Sequence, residues 1–302
     1  MEIHRKDLKR RAREAMSLAS PKFWLVCLVY LLLTSGVDGL FQLVPSAVAG
    51  ADSFSFFGFF TDVLYTLYSL VVQFGFTLWA LWTWRRQNPG LGSLIQGFSI
   101  PGRILVMELL IFLRVLGWTV LISFALTLLV MAMPSALLNS GTGVFVYLGM
   151  IGLIYGAVFI LMLRYAMAPY LLADRPDDGP SPAIRRSVEM MRGRKWELFK
   201  LEFSFIGWNL LQFLLLSAAL LLSLIQAGLF SLPSYFAFPL NTTTIPLYEA
   251  AISSTPTLLL SSLVTLPLSL WLTPYISVSR AGFYDSLCRL CRADEYEPMP
   301  PL

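Results

Sequence analysis

Histidine is almost missing from this chain. Among 302 residues only His4 carries an imidazole, and it stands in a basic N-terminal tail. No His-containing catalytic triad, zinc-protease helix or membrane di-iron cluster can be built from it. Also missing are a phosphate-binding Gly-rich loop ending in Lys-Ser/Thr and a Gly-x-Ser-x-Gly elbow. Three cysteines do not make a disulfide framework. Cys288 and Cys291 form a Cys-x-x-Cys with no nearby His or Cys to complete a zinc site, so they read as free thiols, with reversible lipidation as the alternative. No cofactor and no metal is expected.

Charge is scarce as well. Charged residues make up 13% of the chain, against about 25% in soluble domains. Basic residues are absent from 23–84, 115–163 and 201–279. Hydrophobic residues reach 57% and mean hydropathy is +0.69. Long uncharged apolar runs of this kind belong in a bilayer. The formal net charge of +4 therefore signals no nucleic acid; it reflects cations that flank membrane spans.

Crossing about 30 Å of hydrocarbon takes about 20 helical residues. Six segments qualify, near 23–45, 58–83, 104–133, 143–172, 202–231 and 257–279. The expected fold is all-α: a polytopic membrane protein of six transmembrane helices, its membrane domain covering 23–287. The cations fall in four clusters, Arg5 to Lys22, Arg85 to Arg103, Arg175 to Lys200 and Arg280 to Arg292. The intervening linkers near 46–57, 134–142 and 232–256 have none. The positive-inside rule then places both termini, with the 1–22 segment and the 288–302 tail, in the cytoplasm. The apolar run after Lys22 is too long for a cleavable signal, so Met1 is expected to remain. Asn241-Thr242-Thr243 is a glycosylation sequon that matters only in a secretory-pathway host.

Two cytoplasmic segments read as basic amphipathic helices. From Asp7 to Ala19, Leu8, Ala12, Ala15, Met16 and Ala19 share one face, with Arg10 and Arg13 elsewhere. Such a helix before a span lies in the headgroup plane. A second, over about 181–193, has Ser181 as its cap and Pro182 at its first position. Ile184, Val188 and Met191 form its apolar stripe, with Arg185, Arg186 and Arg192 on the other sides. Gly193 breaks it before Trp196 and Phe199 meet the interface. Arg10, Arg13, Arg185, Arg186, Arg192 and Trp196 are the candidate contacts to anionic lipid headgroups. Asp174, Asp177 and Asp178 read as a turn and helix cap; a Mg²⁺ site is the alternative.

The fourth and sixth spans end alike, in Ala168-Pro169-Tyr170 and Thr273-Pro274-Tyr275, each with an arginine six residues after its proline. Proline near a helix end removes a hydrogen bond and favours a kink, so Pro169, Tyr170, Pro274 and Tyr275 are candidate kink positions. Two cations are not explained by topology. Arg114 lies about ten residues into the third span, hence about 15 Å deep. Burying it there costs about 2.5–3.5 kcal/mol. Depth matching pairs it with Asp38, and pairs Glu108 with Arg164. Such pairs fix helix register or line a polar path to an anionic ligand.

Tyr165 to Pro176 (Tyr-Ala-Met-Ala-Pro-Tyr-Leu-Leu-Ala-Asp-Arg-Pro), Ala183-Ile184, Ser187, Met190-Met191-Arg192-Gly193, Lys195 to Phe199 and Phe203 to Trp208 together resemble the bacterial integral membrane family called domain of unknown function 975. Leu8 to Met16, Gly97-Phe98, and Pro274-Tyr275 through Phe283-Tyr284 extend the resemblance over most of the chain. It implies a multi-pass protein of a bacterial inner membrane and assigns no catalytic residue. The leading expectation is a non-enzymatic accessory or scaffold. It would engage anionic lipid or a membrane protein partner at its cytoplasmic face. A transporter or flippase-like carrier of a small amphiphile is second, and a membrane enzyme third.

Overall fold

The computed structural model describes residues 5–41, 56–133, 141–226 and 254–295, and all regular structure among them is helical. Helix α1 is Arg5–Leu18, and α2 is Phe23–Phe41, with a π-helical stretch at Leu32–Gly36. Helix α3 is Phe56–Trp84, α4 the short Ser93–Gln96, and α5 Pro101–Met131. Then come α6 (Gly141–Tyr165), α7 (Ala168–Asp174), α8 (Pro180–Met190), α9 (Lys195–Phe203), α10 (Ile206–Gln226) and α11 (Thr255–Glu295).

Among the described residues six helices are long and apolar enough to cross a membrane: Phe23–Phe41, Gly58–Trp84, Pro101–Met131, Phe145–Asp174, Ile206–Gln226 and Pro256–Cys291. Each corresponds to one of the six segments expected from hydropathy. The third begins earlier than expected, since Pro101 with its fixed φ suits the first helical turn. The fifth begins later, because Ser204 and Phe205 form a turn. The sixth overruns its expected end at 279 and continues as helix to Glu295. His4, the sequon, the tail past Glu295 and most of the three basic-free linkers lie outside the described residues.

The described chain divides into two units, 1–200 with 277–302, and 201–276. In the first, the core is the second half of α3. Val71, Val72, Phe74, Phe76, Trp79, Ala80 and Leu81 are all buried there. Helices α1, α4, α5 and α7 contact α3. Helix α1 buries Leu8, Ala12, Ala15 and Met16, while Arg10 and Arg13 stay exposed. After α3 the chain folds back along it. A Cβ on Gly75 would strike the carbonyl of Leu94, and one on Gly97 would come within 2.5 Å of the Val71 carbonyl. Only glycine allows these backbones so close, and small residues serve this role wherever lipid removes the hydrophobic drive between helices.

The proline motifs do not behave alike. The fourth span breaks at Ala166 and Met167, and Pro169 opens the new helix α7. Pro274, by contrast, stays inside the continuous α11, together with Pro267. The expected matching kinks are thus one interrupted helix and one unbroken one. Pro169 sits in a first turn, where its missing N–H is harmless. Helix α8 also starts differently from expectation. Gly179, with φ of 83°, precedes Pro180, and no side chain caps the helix; Ser181 lies within its first turn. Gly193 adopts φ of 78° in the turn that follows α8.

In the second unit, Gln212 on α10 donates to the Ser269 hydroxyl of α11 at 3.1 Å. Trp208 meets Trp271 at 5.1 Å between ring centroids, Trp271 meets Tyr275 at 4.9 Å, and Phe205 stands edge-on to Tyr275 at 5.2 Å. Tyr275 is therefore a buried packing residue.

Candidate functional site

Two polar features stand out in the first unit, one closed on itself and one open. The closed one is an ion-pair knot. The last turn of α7 presents Asp174, and the residue following α3 is Arg85. They form a two-pronged pair, Nη1 to Oδ1 at 2.5 Å and Nη2 to Oδ2 at 2.8 Å. The Tyr284 hydroxyl of α11 donates to the same carboxylate at 2.8 Å. Arg85 Nε lies 3.7 Å from Asp285, which also accepts from Arg289 at 2.8 Å. The hydrogen bond to Asp174 holds the Arg85 guanidinium above its usual pKa, against the opposing effect of burial. Side-chain exposures of 29% and 24% put the Arg85–Asp174 pair well away from full hydration, where charge-assisted hydrogen bonds are strong. The Tyr170 ring stacks on Tyr284 at 5.5 Å. Cys288 and Cys291 face the adjoining cleft of about 550 Å³.

The neighbouring aspartates are also partnered. Asp177 receives Arg103 at 3.2 Å, and Arg103 also donates to the Pro176 carbonyl at 2.8 Å. Asp178 receives Arg186 at 2.6 Å. The three-aspartate cluster thus reads as three separate arginine clamps rather than as a shared cation site. Arg186, expected to face headgroups, is held by Asp178 because Pro176–Asp178 form a tight turn just before α8.

The open feature is a groove of about 620 Å³ between α5, α6 and α8. Arg114 and Trp118 reach it from α5, Arg164 and Tyr165 from the end of α6, and Ser181, Pro182, Arg185 and Val188 from α8. Residues four apart share a helix face, which is why Arg114 goes with Trp118 and Ser181 with Arg185. The three helices contact one another pairwise. The Ser187 hydroxyl donates to the Arg164 carbonyl at 3.1 Å, fixing α8 against the end of α6. Among the described residues no acidic one lines the groove, although it has three arginines. Arg185 Nε lies 3.9 Å from Glu189, with both side chains exposed. Such a pair contributes little.

The pairs expected from depth, Asp38–Arg114 and Glu108–Arg164, do not form. Among the described residues no ion pair involves any of the four. Matching by depth holds only where the spans share a common boundary. The first turns of α5 instead pack against α3 and α8, burying Ile104, Met107, Ile111 and Val115. Arg114 is thereby level with α8 and shares its groove with Arg185. Of the other candidate headgroup contacts, Arg10, Arg13, Arg185 and Arg192 are exposed. Trp196 is exposed too, stacking on Phe199 at 4.7 Å with Lys200 5.7 Å from its ring. Sequence reasoning missed the Arg85–Asp174–Tyr284 knot. Its only sequence sign was an acid embedded in a basic cluster, since the partners lie 89 and 110 residues apart.

Residues 1–290 match the family described as "Protein of unknown function (DUF975)". No curated protein and no solved structure matches the chain. The match covers nearly the whole chain, so the chain belongs to the DUF975 family.

Proposed function

With membership of the DUF975 family as the premise, we propose that this multi-pass membrane protein is a non-enzymatic accessory or scaffold. It engages anionic lipid or a membrane partner at a basic cytoplasmic face. The observation that carries this reading is the placement of cations in α1 and around α8. Leu8, Ala12, Ala15 and Met16 hold α1 to the protein, while its arginines are exposed beside the first span. The crowding is felt by Lys9, whose ammonium pKa is lowered by burial and by Arg13 and Arg5. Cations at a membrane surface gain about 1 kcal/mol each from anionic lipid. The positive-inside rule puts both termini, and all four basic clusters, in the cytoplasm. The family resemblance implies a bacterial plasma membrane as the host.

A second reading, a carrier of a small amphiphile, draws on one observation: a groove reaches Arg114. The two separate in one reconstitution. The accessory reading expects the protein to prefer anionic over neutral labelled lipid at its boundary, with no movement of labelled lipid between leaflets. Equal partitioning of phosphatidylglycerol and phosphatidylcholine would sink it. Leaflet exchange above that of empty vesicles would favour the carrier.

A further inference from the structure

We propose that the groove between α5, α6 and α8 is a binding site for one anionic phospholipid, its phosphate held by Arg114, Arg164 and Arg185. This rests on the preceding reading and narrows it from a charged face to a single site. Three guanidinium-bearing residues line one cavity of about 620 Å³, with no carboxylate among its described lining residues. Neither Arg114 nor Arg164 takes part in an ion pair among the described residues. Guanidinium groups are planar forks suited to bidentate phosphate contacts. Three like charges around one cavity repel one another unless an anion is shared between them.

The flanking residues argue for a lipid rather than a free anion. Beyond the groove α5 continues as exposed apolar surface, Trp118, Leu121, Phe124 and Leu128, with exposures of 52%, 61%, 62% and 52%. A ligand with a charged head and hydrocarbon tails covers both surfaces, and the free phosphate ion covers only the first. Trp118 sits at the join, where the amphipathic indole suits the headgroup boundary. The Ser181 hydroxyl on the same wall offers a further donor. Helix α8 supplies the outer cation, Arg185, and its buried Ile184 and Ser187 keep that cation in place.

The test is native mass spectrometry of the full chain in detergent, titrated with phosphatidylglycerol or phosphatidylcholine. The native protein should retain one phosphatidylglycerol where phosphatidylcholine is lost, and millimolar inorganic phosphate should not displace it. Arg114→Gln with Arg164→Gln should weaken retention by roughly tenfold or more, since charge-assisted hydrogen bonds are lost. Arg185→Ala should do so more mildly. Arg185 is exposed on its helix, so this variant decides the matter if the double variant does not fold. Arg10→Ala with Arg13→Ala, outside the groove, should leave the retained lipid in place. Unchanged retention in all groove variants overturns the site, as does displacement by inorganic phosphate. If instead the α1 variants abolish retention, the charged-face reading stands without the groove. Equal retention of the two lipids removes both.

Discussion

On α3, Val72, Trp79 and Leu81 have no exposed surface, whereas Phe59 and Phe60 near the other end of the same helix are 59% and 51% exposed. The contrast recurs along the first unit. Helix α5 buries Met107 and exposes Phe124 and Met131; the fourth span buries Met167 and Leu172 and exposes Phe145 and Tyr155. In each case the buried end carries the basic cluster. The exposed ends are no less apolar than the buried ones, since 116–131 and 145–160 carry no charged residue, so hydrophobicity cannot be what separates them. Lipid tails solvate Leu and Phe as well as a protein interior does, and apolar surface alone gives helices little reason to associate. What the basic ends have in addition is polar pairs, such as Arg85–Asp174, and glycines that admit close backbones, such as Gly75 and Gly282. A Cβ on Gly282 would lie 2.7 Å from the Trp84 ring. Among the described residues packing follows these features, and the far halves stay exposed. Helix α10, in the other unit, departs from the pattern by burying Ala219 and Ser223.

The contrast can be broken most severely at the knot. Asp174→Ala leaves Arg85 without its two-pronged partner in a half-enclosed setting, and should lower stability by about 3 kcal/mol. Thermal unfolding in detergent, followed by helicity, measures this. A midpoint unchanged from the native protein would mean that the knot does not hold the basic ends together. Next in size is Gly75→Leu, which forces a side chain against the Leu94 backbone and should cost about 1–3 kcal/mol. Gly117→Leu is its control on α5, since nothing lies within 4 Å of a Cβ there; the two should differ clearly in the same melt. Tyr284→Phe removes one donor from a shared carboxylate and should cost about 1–2 kcal/mol. The smallest effects belong to the far halves. Phe124→Leu and Tyr155→Phe should each stay within about 0.5 kcal/mol, and a loss as large as that at Gly75 would show that these halves are packed against protein.

Six apolar runs and their basic flanks were readable because span length and composition follow from bilayer thickness. The faces of α1 and α8 were readable because helical period places Leu8, Ala12 and Ile184 on the inner side. Tertiary pairing was not. Depth counting joined Arg114 to Asp38, but the opening turns of α5 pack beside α8, and that shift cannot be seen in a hydropathy profile. The same limit hid the role of Asp174, whose partners come from the residue after α3 and from within α11. The motif shared by Pro169 and Pro274 did not distinguish a broken helix from an unbroken one, because the same residues can open a new helix or sit within a continuous one, depending on whether the preceding turn unwinds.

A structure of the protein in nanodiscs containing phosphatidylglycerol tests the account most directly. It should show a headgroup density among Arg114, Arg164 and Arg185, with lipid chains along the exposed face of α5 and no protein covering Phe124 or Tyr155. An empty groove, with the far halves of the spans packed against one another, would contradict it.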